Sequence, residues 1–149
     1  MNRKALLAAA RKAALHAYAP YSHFRVGAAV VVETSKGPRV VTGANIENGS
    51  FGLTLCAERS ALAAACMLES SRGDCLEETI RHRPPISQVA VACIDVPSDA
   101  PDWRRSPCGA CRQWMAELAP DAVFYVDGIE KDLRLADLLP YAFRLEDGG

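Results

Sequence analysis

The sequence predicts an α/β domain, a layered α/β/α arrangement built on one mixed sheet of about five strands. Three observations carry this. Segments with helical and strand patterns follow one another in the order α-β-β-α-β-α-β-α. Residues 86–96, Ile-Ser-Gln-Val-Ala-Val-Ala-Cys-Ile-Asp-Val, are near-continuously apolar, as a central strand covered on both faces must be. Two helical stretches, at Ala57 and at Gly109, are rich in the small residues that let a helix lie close against a sheet.

Taken in order, residues 2–18 hold Ala, Leu, Arg and Lys, strong helix formers, and Leu6, Ala10, Ala13 and Ala14 can share one face. Ala19-Pro20-Tyr21-Ser22 breaks that helix. Residues 26–34 read as a β-branched strand whose small start, Gly27-Ala28-Ala29, permits close backbone approach. Ser35-Lys36-Gly37-Pro38 is a turn and residues 39–42 resume the strand pattern, which together predict a hairpin. Residues 45–54 are an irregular polar loop, and residues 57–68 a helix. Residues 70–85 read as an exposed polar excursion ending in Pro84-Pro85. The strand at 86–96 is followed by a loop through Pro97 and Pro101, a helix over 109–118, a short strand over 121–126 and a last short helix over 133–139.

A length of 149 residues suits a single domain spanning 1–149, able to bury roughly two thirds of its unfolded surface. Lys plus Arg (17) nearly cancel Asp plus Glu (18), which argues against nucleic acid as the partner, since that affinity rests on clustered cations. The start, with Arg3, Lys4 and an apolar run, imitates a secretory signal, but Arg11 and Lys12 interrupt the run after Ala10. No stretch approaches the roughly 20 apolar residues of a membrane span, so no membrane partner and a cytoplasmic location are expected. Six cysteines in that setting point to thiols or metal ligands rather than disulfides.

The chemistry concentrates in Cys56-Ala57-Glu58-Arg59 and Pro107-Cys108-Gly109-Ala110-Cys111. A catalytic zinc takes three protein ligands and keeps a fourth position open, and Cys56, Cys108 and Cys111 number three. Their location at helix starts favours thiolate, because the helix dipole and free amides stabilise the anion. Glu58 can approach the same point from the first helical turn without being a ligand, a placement suited to a proton carrier. Arg59 would offset the negative charge of zinc bound by three thiolates. The plainer readings are a redox Cys-x-x-Cys pair, a core Cys56, and a Glu58 that only interacts with the helix dipole. Cys66 and Cys93 sit in apolar contexts and read as core; Cys75 lies in the excursion with no role assigned.

These residues resemble the zinc-dependent nucleoside deaminases, specifically the small homotetrameric cytidine deaminases with a three-cysteine zinc site. The likeness extends to Tyr21-Ser22-His23-Phe24-Arg25-Val26-Gly27-Ala28, Asn45-Ile46-Glu47-Asn48 and Leu138-Leu139-Pro140-Tyr141-Ala142-Phe143. It implies a cytidine deaminase-like fold, one Zn2+ per subunit, and hydrolytic deamination of cytidine or 2′-deoxycytidine in pyrimidine salvage. It further implies that Phe24 stacks on the base, Asn45 and Glu47 hold the ribose hydroxyls, and the backbones of Ala57 and Ser106 contact the base edge. Phe143 would reach a neighbouring subunit's site, making a homotetramer part of catalysis. Alternatives are deamination of another aminopyrimidine nucleoside, such as a blasticidin-type antibiotic, and a non-catalytic zinc-binding module. Arg25, where the family usually has Pro, Gly49, Leu55 and the long loops at 70–85 and 97–105 depart from the family and point to a modified rim.

Overall fold

The computed structural model describes residues 1–68 and 83–145. Helix α1 (Arg3–Ala14) is opened by Asn2, whose side chain accepts a hydrogen bond from the Ala5 amide at 2.8 Å. Strands β1 (Val26–Val32) and β2 (Arg39–Ala44) form the expected antiparallel hairpin, with Gly37 at φ 97° in the turn. Helix α2 (Ala57–Cys66) follows. Next come β3 (Ile86–Cys93), α3 (Gly109–Leu118), β4 (Val123–Val126) and a single turn, α4 (Leu135–Leu138). Cys75 and most of the 70–85 excursion lie outside the described residues.

Among the described residues the sheet has four strands in the order β2-β1-β3-β4, rather than about five. The other extended segments pair through single bridges only, Ile46 with Leu55 and with Tyr18, and Leu133 with Phe124, too little contact to make a strand. The sheet is mixed, as expected: β1 runs antiparallel to β2 and β3, whereas β3 and β4 are parallel. A parallel pair needs a crossover, and α3 lies within it.

Alternation along the strands divides the core in two. Ala28, Val30, Val89, Val91, Phe124 and Val126 face a cluster with Leu62 of α2 and Met115 of α3. Ala29, Val31, Ala90, Ala92 and Tyr125 face Leu6, Leu7 and Ala10 of α1. The result is the three-layer α/β/α arrangement. Close approach sets both helix positions. A Cβ on Gly27 would stand 2.0 Å from the Ala10 carbonyl oxygen of α1, and one on Gly43 would stand 2.5 Å from the Ala61 amide of α2.

Arg25 ties the start of β1 to the residues beyond β3. Its guanidinium reaches Asp95 at 2.6 and 3.0 Å, and its backbone N–H donates to the same carboxylate at 2.7 Å, a bond a proline could not make. The Arg25 side-chain hydrogen bond, with the backbone one, holds the Asp95 carboxyl below its ordinary range. A depressed native pKa contributes stability above the ordinary carboxylate range and loses it as pH falls toward the native value. Asp95→Asn should therefore lower the urea midpoint at neutral pH, and the gap to the parent should narrow as pH falls below the ordinary Asp range. A gap independent of pH would show that the pair carries no such linkage.

Candidate active site

Helices α2 and α3 begin at Cys56 and Cys108, which occupy their N-cap positions, and neither cap makes a side-chain hydrogen bond to the first turn. The amides of both first turns are thus not met by cap side chains, and both helix dipoles place positive charge near the sulfurs. One turn into α3, Cys111 is fully buried. The three Sγ atoms lie within 4.8 Å of one another, with Cys56 3.9 Å and Cys111 3.4 Å from Cys108. Two sulfurs each about 2.3 Å from a tetrahedral zinc stand about 3.8 Å apart, so the donor set fits that ion.

Charge at the cluster favours a cation. Hydrogen bonding to Cys111, and then to Arg59 and Cys108, pulls the Cys56 thiol down to about 5, while Cys111, sharing its proton with Cys56, is pushed up. Negative charge is therefore favoured at Cys56. A divalent ion bound by the sulfurs would displace thiol protons, which is how metal binding couples to thiol ionisation. The Arg59 guanidinium donates to the Thr54 carbonyl at 2.7 Å and lies 3.8 Å from Cys56 Sγ. It thus places a positive charge beside the sulfur cluster.

Glu58 is only 4% exposed. Burial raises its carboxyl above the ordinary value, and the negative charge of Cys56 raises it further. Such a group changes protonation more readily near neutral pH than a solvated carboxylate does, which suits proton transfer.

A cavity of about 330 Å³ joins these groups to most of the other expected residues. The segments flanking β1 and β2 supply Phe24, Asn45 and Glu47; the start of α2 supplies Cys56, Ala57 and Glu58; Ser106 and Cys108 complete it. The volume lies at the lower end of small-molecule sites, enough for one nucleoside-sized ligand. Asn45 is pinned by the backbone: its Oδ1 accepts from Val26 N at 2.8 Å and its Nδ2 donates to the Phe24 carbonyl at 2.9 Å. Glu47 accepts from the Tyr21 and Ser22 amides and from the Ser22 hydroxyl, which hold its carboxyl below the ordinary range, the hydroxyl most of all.

Phe143 is not among these residues. It is 66% exposed and lines a separate apolar groove of about 590 Å³ with Trp114 and Leu118, its carbonyl accepting from Gln113 Nε2 at 2.9 Å. That groove is larger, but neither the three clustered sulfurs nor Glu58 lines it.

Sequence reasoning missed several cavity residues. Ser22 orders both Glu47 and, through a 3.0 Å bond to its amide, Phe24. Next to it His23 adopts φ 55°, a left-handed conformation uncommon outside glycine and a signal visible only in the backbone. Cys93, expected in the core, is half-buried at the cavity wall, where desolvation pushes its thiol up to about 12. Cys66 likewise is only half-buried, in the wall of the apolar groove. Arg104 and Arg105 also border the cavity; a basic pair in a loop gave no indication of it.

Comparison with known proteins agrees with this geometry. Residues 1–127 match the family model of the cytidine and deoxycytidylate deaminase zinc-binding region. The chain is 42% identical over 151 residues to a cytidine deaminase of Halalkalibacterium halodurans, covering 99% of this chain and 98% of that one. It is also 42% identical over 138 residues to the cytidine deaminase of Mycobacterium tuberculosis, covering 93% and 86% of the two chains. Among solved structures, cytidine deaminase from Burkholderia pseudomallei aligns over 96% of this chain and 100% of its own, with TM-score 0.72 and 38% identity. No helix among the described residues is long and apolar enough to cross a membrane.

Proposed function

Because the chain belongs to the cytidine and deoxycytidylate deaminase family, we propose that it hydrolyses cytidine, 2′-deoxycytidine or both to the uridine product and ammonia, with Glu58 as the proton carrier. The observation that carries this reading is a buried carboxyl, Glu58, lining the same cavity as Cys56 and Cys108 of the three-sulfur cluster.

Cys56, Cys108 and Cys111 hold Zn2+, which when bound supplies the Lewis acidity that makes water a nucleophile at neutral pH. Glu58 takes a proton from the attacking water and delivers it to the ring nitrogen beside C4, then carries the second proton from the new C4 hydroxyl to the amino group, which departs as ammonia as the C4 carbonyl forms. Its burial keeps that proton from bulk solvent. Phe24 offers a flat face to the pyrimidine, while Glu47 and the free hydrogen of the Asn45 amide meet the sugar hydroxyls. Ser22 keeps Glu47 from turning away. The backbones of Ala57 and Ser106 hydrogen-bond the base edge.

The reading extends to one domain over the whole chain acting as a cytoplasmic homotetramer in pyrimidine salvage. The exposed Phe143, placed outside its own chain's cavity, supports a role in a neighbour's site. Incubation of zinc-loaded protein with cytidine and, separately, with 2′-deoxycytidine, followed by chromatography for the uridine product, tests the function; no product from either overturns it. Cys111→Ala should lose zinc and turnover together, because the remaining two thiolates leave the ion short of ligands. Zinc analysis reading one ion per chain in that variant would remove Cys111 from the set.

A further inference from the structure

The geometry points to Arg105 as a positioning residue that latches the loop before α3 over the substrate cavity and so sets where Ser106 stands. This rests on the reading of that cavity as the nucleoside site.

Arg105 is one of three polar or charged side chains buried among the described residues, at 7% exposure. Its guanidinium has no carboxylate partner among those residues; it donates instead to the carbonyls of Pro97, Ser98 and, at 3.5 Å, Ala100. All three acceptors belong to the loop that Arg105 itself closes. The backbone is held as well: the Arg105 and Ser106 amides both donate to the Asp102 carbonyl at 3.0 Å, and the Arg105 carbonyl accepts from Cys93 Sγ at 3.8 Å. Arg105 thus joins the end of β3, the loop and Ser106 in one unit.

Gly128, beyond β4, leaves the room the guanidinium needs. A Cβ there would stand 2.6 Å from Arg105 Nη1 and 2.9 Å from Cζ, and the residue sits at φ 86°. A buried ion without a counter-ion is a poor way to stabilise a fold, since an apolar side chain of similar volume serves as well or better. A guanidinium is instead suited to gathering carbonyls, and here Nη2 faces all three of the loop's acceptors.

The test measures steady-state deamination of cytidine by zinc-loaded Arg105→Ala, well below its unfolding temperature. KM should rise about tenfold while kcat changes less than about threefold, the pattern of weakened ground-state placement. Millimolar guanidinium ion should lower the variant's KM and leave the parent's unchanged. Arg3→Ala is the control: Arg3 grips the Ile129 and Glu130 carbonyls just past Gly128 without touching the loop, so it should lower thermal stability and leave KM alone. An Arg105→Ala KM equal to the parent's, whatever the unfolding temperature, overturns the proposal. Should that variant fail to fold, Gly128→Ala, which displaces the guanidinium, carries the same prediction.

A second readout does not depend on the substrate. Trp103 lies in the same loop at 75% exposure, so in a Trp114→Phe background its fluorescence anisotropy should fall when Arg105 is removed. A parent enzyme inert toward both cytidine and 2′-deoxycytidine but with this anisotropy drop would defeat the functional reading and leave the latch standing. An unchanged anisotropy would defeat the latch.

Discussion

Glu58→Ala is expected to lower kcat by about three to four orders of magnitude while zinc stays at one ion per chain. Removal of a positioned general acid or base typically costs 10²- to 10⁴-fold, roughly, and here one side chain serves several transfers, so the upper part of that range applies. Zinc is retained because the three sulfurs meet one another without the carboxylate. Glu58→Gln keeps the shape and one hydrogen-bond donor but cannot carry a proton, so it should fall nearly as far. Neither change should unfold the protein. Glu58 is buried against its own solvation, and the same desolvation that raises its carboxyl means that removing it costs the fold little. Turnover followed by uridine formation, zinc by elemental analysis and the unfolding midpoint together separate the outcomes. Activity within tenfold of the parent would take the proton-carrying role away from Glu58, and lost zinc would mean that it supports the metal.

Gly43→Ala is expected to be among the most disruptive single-methyl additions in the chain. A Cβ at this position in β2 would lie 2.5 Å from the Ala61 amide, 2.7 Å from the Ala57 carbonyl and 2.9 Å from Ser60 Cβ. Two of those atoms are helix backbone, which cannot rotate aside as a side chain would. Helix α2 must shift as a body, and overpacking that displaces backbone costs about 3 kcal/mol or more. Function should suffer beyond stability, because α2 carries Cys56 at its N-cap and Glu58 in its first turn, whereas Cys108 and Cys111 ride on α3. Moving one helix alone opens the sulfur cluster. Urea unfolding should show the lost stability, and competition with a chromogenic chelator should show weaker zinc binding. A variant with parent-like zinc affinity would mean that the cluster tolerates the shift.

The elements were legible where local pattern decides them. The helix over 109–118 matches its sequence reading residue for residue, since Cys108 and Pro107 open it and Ala119-Pro120 closes it. The helical pattern of residues 2–18 outruns the helix, which ends at Ala14, because the amides of Leu15, His16 and Ala17 tighten to the carbonyls three residues back, Lys12, Ala13 and Ala14, and Tyr18 donates to the Asn45 carbonyl. Strands β1 and β3 were each read two or three residues too long for a similar reason: β-branched pattern extends past the point where a partner strand is available.

At the site, the sequence by itself singled out Cys56, Cys108 and Cys111 as the proposed ligand set, Glu58 as the proposed proton carrier and Arg59 as the proposed charge-balancing arginine, because that chemistry follows from residue type and from spacing along helix starts. Their convergence depends on the fold. Cys56 meets Cys108 across a separation of 52 residues only because two glycines let α1 and α2 lie close to the sheet and the parallel β3 to β4 crossover brings α3 alongside. Tertiary structure alone decided that Cys93 faces the cavity, that Ser22 holds Glu47, and that Phe143 stands outside its own chain's site. These are long-range contacts, and no pattern in a short window carries them.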